Sequence, residues 1–266
     1  MSDSTQGEHA RPENAMKPYR LWAEYYDRIF PFTRSWGAIV REQLLDPLLT
    51  QCTTVCDLAC GTGTTAMELA QLGLRVYAVD LSPTMCDITR RKVRRTRPPI
   101  TVIQADMRSF RLPEPVDLIT CEFDAINHVP RKQDLALVAH AAARALQPGG
   151  YFYFDANNLL AFQEVWPLTW RHELPGVVIV SHGRYDAEKD RAYSIAEFFI
   201  RQGKLWERHL ERVEQVCWTQ KEIRAALRDA GFESVRAWDA ARFFPPGSMI
   251  DRGHRTIYLA RKKRPA

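Results

Sequence analysis

The order of local patterns along the chain predicts an α/β fold, a mostly parallel sheet with helices on both faces plus an inserted antiparallel β layer. Two observations carry that prediction. Over about residues 50–160, short apolar runs alternate with turns and helical periods, the mark of parallel strands joined by crossover helices. From about Phe162 to Cys217 the helical period vanishes, and β-prone runs separated by turn residues replace it.

The first stretch, Met1 to Asn14, is polar and lacks the apolar core of a signal peptide, so 1–15 reads as a disordered lead-in. A helix is expected over Tyr19 to Phe30, with Tyr19, Trp22, Tyr26 and Ile29 on one face. A second follows from about Arg34 to Leu49, its face set by Trp36, Ile39, Val40, Gln43 and Leu44, with Pro47 marking an end or a kink. Together these make a helical segment over 16–50. Strands are expected at Val55 to Ala59, Arg75 to Asp80, Ile100 to Ala105 and Val116 to Glu122. Ser82-Pro83 reads as an N-cap followed by proline at the first helical position. An alanine-rich helix from Asp134 to Leu146 meets a stop signal at Pro148-Gly149-Gly150, and Tyr151 to Phe154 begins a fifth strand. In the β-only stretch the runs are Val177 to Tyr185, Arg191 to Ile200 and Lys204 to Cys217, with Gln202-Gly203 as a tight turn. Thr219 with Glu222 three residues on forms a capping box for a helix reaching Gly231. Glu233 to Trp238 and Thr256 to Arg261 supply the last two strands. The division is 16–50 helical, 51–161 and 218–266 the main domain, and 162–217 the insertion.

Composition narrows the function classes. A chain of 266 residues can hold one large domain or a domain with an insertion, and 45% hydrophobic with 26% charged residues is ordinary for a globular protein. No apolar run approaches the ~20 residues of a membrane span. The six cysteines show no CxxC pair, and Cys52, Cys56 and Cys60 fall across a loop, a strand and a turn, so no metal site is expected. That usage favours the reducing cytoplasm. Six basic residues crowd Arg90 to Arg97. Cations near a helix C-terminus complement its dipole, and the run has no interleaved aromatics for stacking, so no nucleic-acid partner is expected.

The chemistry centres on Val55 to Ala66. A buried strand breaks into two glycines spaced by one residue, and a helix follows whose N-terminal N–H groups suit a carboxylate or phosphate. Gly61-x-Gly63-x-x-Ala66 alone also fits a dinucleotide site. The acid Asp57, four residues before Gly61, adds specificity. Asp57-x-Ala59-x-Gly61-x-Gly63 resembles the first motif of the class I S-adenosylmethionine-dependent methyltransferases, with Ala59 in place of the first glycine. Asp80-Leu81 after the second strand, Asp106-Met107 after the third, the fourth strand and the turn Leu146 to Gly150 match in the order that family has them. The β insertion is similar to that of sugar N,N-dimethyltransferases and related bacterial enzymes.

The resemblance implies a Rossmann-like, seven-stranded, mostly parallel sheet with the last strand antiparallel, an N-terminal helical lid containing Tyr26-Asp27, and an inserted cap over the acceptor. It implies S-adenosyl-L-methionine as cofactor. The backbone at Ala59, Gly61 and Gly63 would pass its methionine moiety, Asp57 would orient the ammonium, and Asp80 would accept from both ribose hydroxyls. Leu81 and Met85 would pack on the adenine, Asp106 and the Met107 N–H would bond to it, and Glu122 completes the cofactor set. A general base is needed only if the acceptor must lose a proton. His128, past the fourth strand, has the right unperturbed pKa, with a structural histidine as the plainer alternative. Tyr26 is a second candidate, and Tyr25, Asp124 and Asn127 are lesser ones. Aromatic residues Trp22, Tyr25, Tyr26, Phe123, Trp166, Trp170 and Phe198 read as walls of a partly closed cavity, which favours N- or O-methylation of a small molecule. An RNA or protein methyltransferase, an NAD(P)-dependent oxidoreductase and a non-catalytic cofactor-binding module are the alternatives.

Overall fold

The computed structural model describes residues 19–244 and 253–264, and of residues 32–35 only the backbone. The lead-in expected over 1–15 lies outside the described residues. Two sheets organise the chain. The main sheet has seven strands in the order β10-β11-β5-β4-β1-β2-β3: β1 (Thr54–Leu58), β2 (Arg75–Asp80), β3 (Ile100–Gln104), β4 (Val116–Cys121), β5 (Leu146–Asn157), β10 (Phe232–Asp239) and β11 (Arg255–Lys262). The strands β1 to β5 run parallel, and β11 is antiparallel to both β5 and β10. The second sheet is an antiparallel meander of β6 (Thr169–Leu174), β7 (Val177–Asp186), β8 (Arg191–Gln202) and β9 (Leu205–Val216).

The central parallel strands β1 and β4 are buried along nearly their whole length because both faces are covered. Cys56, Ile119, Phe152 and Phe154 pack on the side of α6 (Lys132–Ala145) and α8 (Gln220–Asp229). Val55, Leu118, Tyr153 and Ile257 pack on the side of α2 (Phe32–Leu44) and α4 (Thr64–Gln71). Strand order reverses between β1 and β4, and open α/β sheets bind ligands in the crevice beyond the carboxyl ends of the strands at such a point.

Helix ends follow their local signals. Ser82 Oγ accepts from Met85 N at 3.3 Å to start α5 (Pro83–Val93), and the reciprocal box of Thr219 and Glu222 starts α8. The single long helix expected up to Leu49 is broken: α2 stops at Leu44 and a short α3 (Asp46–Leu49) starts over at Pro47, whose ring cannot continue a hydrogen-bonded turn. Its buried face is also rotated. Trp36, Gly37, Val40 and Arg41 are buried, while Gln43 is exposed and donates to the Phe243 carbonyl at 3.0 Å.

The insertion differs from expectation in three places. Phe162 lies in a helix, α7 (Leu159–Glu164), begun by the Asn158 side chain accepting from Ala161 N. The strand β6 was not expected, since it is an edge strand and mostly exposed, so it lacks an apolar alternation. The tight turn is Gly203-Lys204, one residue later, because Gln202 already pairs with Leu205 and Gly203 takes the positive φ of 63°.

The helix α1 (Leu21–Ile29) lies on the inner face of this second sheet, with Trp22 against Phe198 at 5.2 Å in an edge-to-face contact. Its N-terminus has no cap of its own. The buried Glu211 carboxylate on β9 accepts from Leu21 N at 2.5 Å and Trp22 N at 3.3 Å, meeting both the free N–H groups and the positive dipole end. Glu211→Ala should therefore lower unfolding stability by about 1.5–3 kcal/mol, the range for hydrogen bonds to a charged group. Amide exchange should accelerate selectively in α1. Unchanged exchange there would show that the carboxylate does not hold the helix.

Candidate active site

The glycine turn between β1 and α4 is left-handed at three alternate residues: Ala59 (φ 57°), Gly61 (54°) and Gly63 (80°). Ala59 bears the usual penalty of an L-residue in that region, about 1–2 kcal/mol. A Cβ at Gly63 would lie 2.5 Å from Thr89 Cγ2, so glycine is required there, whereas a Cβ at Gly61 would meet nothing within 4 Å. That open side is where a ligand can approach the backbone. Asp80 shapes the turn, its Oδ2 accepting from Gly61 N at 2.9 Å and its Oδ1 from Ser82 N at 2.8 Å. Burial raises its pKa, and the backbone donors of Ser82, Gly61 and Leu81 oppose the rise. Two backbone bonds leave lone pairs on both oxygens for further donors.

At the strand reversal, two carboxylates are buried with one oxygen each unpartnered. Asp57 Oδ1 accepts from Thr120 Oγ1 at 3.0 Å, and its Oδ2 makes no hydrogen bond. Glu122 Oε2 accepts from Arg41 at 2.5 Å and from Thr65 Oγ1 at 2.9 Å, and its Oε1 makes none. Burial, with the Glu122 charge adding to it, pushes Asp57 up to about 8. Arg41 was not anticipated from the sequence. It comes from α2, bonds Glu68 as well, and fits because Gly37 leaves room: a Cβ there would be 2.7 Å from the Arg41 guanidinium and 3.0 Å from Glu122 Oε2. The glycine one turn before a buried arginine was the available signal.

Among the adenine-side residues, Met85 is buried and Leu81 is 63% exposed at the rim. Asp106 is gripped by Arg108, whose Nε lies 3.0 Å from both oxygens, and this hydrogen bonding holds its carboxyl below the usual range. On α1, Asp27 Oδ1 accepts from Thr62 Oγ1 at 2.6 Å, which fastens α1 to the glycine turn, and Lys92 pairs with Asp27. One member of the cationic run thus reaches α1, while Arg94 and Arg97 sit beyond the end of α5, toward the amino edge of the sheet.

Beyond β4, Phe123 and Asp124 both have positive φ (59° and 50°). The buried Asp155 holds this kink, accepting from Phe123 N at 2.6 Å and Asp124 N at 3.0 Å, and Arg255 pairs with both acids. Burial pushes Asp155 up to about 6, against the attraction of Arg255. His128 follows in a 3-10 turn (Ala125–His128). Its Nε2 is 2.9 Å from the Tyr19 hydroxyl and 3.1 Å from Gln215 Nε2. Gln215 also donates to Asp124, which as a carboxylate only accepts, so the Gln215 nitrogen is fixed as donor and His128 Nε2 as acceptor. Burial lowers the His128 pKa, with Asp124 pulling the other way. The ring is therefore neutral at pH 7, with its Nε2 lone pair turned to the Tyr19 hydroxyl and the Gln215 amide. Tyr26 is a half-buried phenol of raised pKa, desolvation being the main cause and Asp124 the next. Asn127 is structural: its side chain bonds the Asn157 N–H at 2.9 Å and carbonyl at 3.2 Å. Tyr19, Gln215 and Arg255 lie 109, 87 and 131 residues from the partners they meet, so no local pattern marked them.

The expected aromatic walls do not form one cavity. Trp22, Tyr25 and Phe198 pack together between α1 and the second sheet. Trp166 stacks on Phe162, Phe123 packs on Trp36, and Trp170 is exposed. Apolar rings in a three-element interface were better used as core. Among the described residues, no group of three or more His, Cys, Asp or Glu could hold a metal, and no helix is long and apolar enough to cross a membrane.

A mostly parallel sheet with a reversed last strand and an open glycine turn after β1 fit the fold of a methyl-transfer enzyme. The family model described as "Methyltransferase domain" matches residues 55–150. The chain is 29% identical over 186 residues to the cypemycin N-terminal methyltransferase of Streptomyces sp, covering 68% of this chain and 72% of that one. It is 34% identical over 131 residues to the dTDP-4-amino-2,3,4,6-tetradeoxy-D-glucose N,N-dimethyltransferase of Saccharopolyspora spinosa, covering 48% and 51%. In fold it is similar to an S-adenosylmethionine-dependent methyltransferase from Clostridium acetobutylicum ATCC 824, with a TM-score of 0.74 at 22% identity, covering 92% and 99%. The chain is a class I S-adenosylmethionine-dependent methyltransferase. The oxidoreductase and non-catalytic readings give way to it.

The raised Asp57 pKa has a stability consequence. The folded state holds a proton that the unfolded state releases near the ordinary value of 3.8, so this group's contribution is present at low pH and is lost as pH rises toward about 8. The stability difference between the wild-type protein and Asp57→Asn, measured by urea unfolding without cofactor, should shift against the wild type between about pH 4 and pH 8. A difference independent of pH would contradict the assignment.

Proposed function

We propose that the enzyme methylates a nitrogen or oxygen of a small-molecule acceptor, that β6–β9 with α1 form the roof over that acceptor, and that His128 receives the acceptor's proton. The observation that carries this reading is the meeting of Tyr19, His128 and Gln215. They come from the lead into α1, the turn after β4 and the inner face of β9, so three elements close over the carboxyl edge around one accepting nitrogen.

The cofactor supplies an electrophilic methyl group on a sulfonium. Asp57 Oδ2 and Glu122 Oε1 are the acceptors we assign to its ammonium, since a buried carboxylate oxygen without a donor is costly and a cation answers it. The turn at Ala59, Gly61 and Gly63 would lie along the methionine moiety, and Asp80 would accept from the ribose. Leu81 and Met85 would flank the adenine, with Asp106 and the Met107 N–H at its edge. In-line displacement asks mainly for alignment, which is worth ~7–11 kcal/mol. Displacement of that methyl by the acceptor atom would release the acceptor's proton, which His128 Nε2 would take, with the Tyr19 hydroxyl beside it. Tyr26 stands by as a neutral wall or donor. The name of one relative, an N,N-dimethyltransferase acting on an amino sugar, supports an amine acceptor. The six free cysteines, five of them buried, support a cytoplasmic setting.

The test is release of S-adenosylhomocysteine from small-metabolite, RNA and protein fractions by wild-type enzyme and His128→Gln. Turnover should appear in the small-metabolite fraction. His128→Gln should lower kcat/KM by about 10²-fold or more, the usual scale of general-base catalysis, with cofactor affinity unchanged. The wild-type rate should fall only on the acid side of pH 6.5, because the His128 pKa lies below that value. Turnover confined to RNA or protein would overturn the acceptor class, and an unimpaired His128→Gln would remove the base.

A further inference from the structure

The turn after β3 holds its carboxylate from several sides. Asp106 lies two residues past the strand, and Ala105 N donates to the Asp80 carbonyl at 2.9 Å, so the turn stays beside the end of β2 at the carboxyl edge. Ser109 N and Phe110 N close the turn by donating to the Asp106 carbonyl at 3.0 and 2.8 Å. The side chain takes three donors, all from Arg108. The backbone N–H reaches Oδ1 at 2.9 Å, Nε lies 3.0 Å from both oxygens, and Nη2 reaches Oδ2 at 2.5 Å. A carboxylate offers about four acceptor places, so one is left. The Asp106 side chain keeps 24% of its surface, and that place can be reached.

The guanidinium is itself held from behind. Arg108 Nη1 lies 3.4 Å from Asp134 Oδ1 on α6, and Arg131 bonds the same acid through Nε at 2.7 Å and Nη2 at 3.1 Å. Asp134 is 1% exposed, and a charge so far out of water needs its cations. Arg108 cannot swing out without leaving that acid short of one. Its hydrogen bonds are also the main influence holding the Asp106 carboxyl low, against burial and the Asp134 charge.

We propose that Arg108 is the positioning residue that sets base specificity at the cofactor site: it keeps Asp106 a fixed carboxylate with one acceptor place, which only a donor such as the adenine 6-amino group can take. This rests on the proposed place of Asp106 at the adenine edge. A protonated Asp106 would donate as well as accept, and a freely turning one would aim its acceptor in many directions. Either change removes the selection.

The test is calorimetric binding to the full chain, between about pH 5.5 and pH 8, of S-adenosylhomocysteine and its purine analogue, which has hydrogen in place of the 6-amino group. The wild-type protein should prefer the adenosyl compound about tenfold throughout, the scale of one hydrogen bond to a charged group. Asp106→Ala should erase the preference. Arg108→Ala should cut it to about threefold or less at pH 8, and further as pH falls, because burial then raises the Asp106 pKa with its main opposition gone and a proton occupies the acceptor. Arg108→Lys keeps the charge but cannot clamp both oxygens, so it should restore part of the preference. An Arg108→Ala protein that keeps the tenfold preference across this range, or loses affinity for both compounds equally, overturns the proposal and leaves Asp106 at the adenine. A preference unchanged in Asp106→Ala overturns the adenine assignment and the role of Arg108 with it.

Discussion

Two buried carboxylates at the strand reversal, Asp57 and Glu122, are the constraint on which the rest of the site depends. Removing a charge from water costs several kcal/mol even after relaxation. The fold answers only part of that cost: Thr120 serves one oxygen of Asp57, while Arg41 and Thr65 serve one oxygen of Glu122. The consequences run outward. Arg41 must come in from α2, Gly37 must be small for it to fit, and α2 must therefore pack over α4. Two buried acids with one oxygen each unanswered are what a cationic ligand would complete.

Above this floor, α1 and the inserted sheet pack together as one unit. Glu211 and Gln215 lie four residues apart on the inner face of β9 and do different things: the first caps α1, the second links His128 to Asp124. The helix is in turn pinned to the glycine turn by Asp27 and Thr62. The inserted sheet and the glycine turn are thereby joined through α1, and moving that helix away would break bonds to charged groups at both its ends.

The main sheet was legible because its signals are local: apolar runs, Asp57 and Asp80 at strand ends, Ser82-Pro83 and the Thr219–Glu222 box. The helical spacing of the aromatics in α1 was legible too, but not what they would face. Whether Trp22 and Phe198 line a cavity or fill an interface is decided by tertiary packing. Likewise Arg41, Gln215 and Arg255 are ordinary polar residues until the fold brings them to partners dozens of residues away. The strand β6 escaped notice because an exposed edge strand need not alternate.

The claim that an ammonium is received by Asp57 and Glu122 is tested most directly by proton linkage. With Asp57 raised to about 8, most of the cofactor-free protein carries that proton at pH 7, and a cation beside it should expel it. Calorimetric titration of S-adenosylmethionine at pH 7, in buffers of different ionisation enthalpy, should show release of close to one proton per cofactor bound, and Asp57→Asn should abolish most of that release. Binding with no buffer dependence in the wild-type protein would contradict the account.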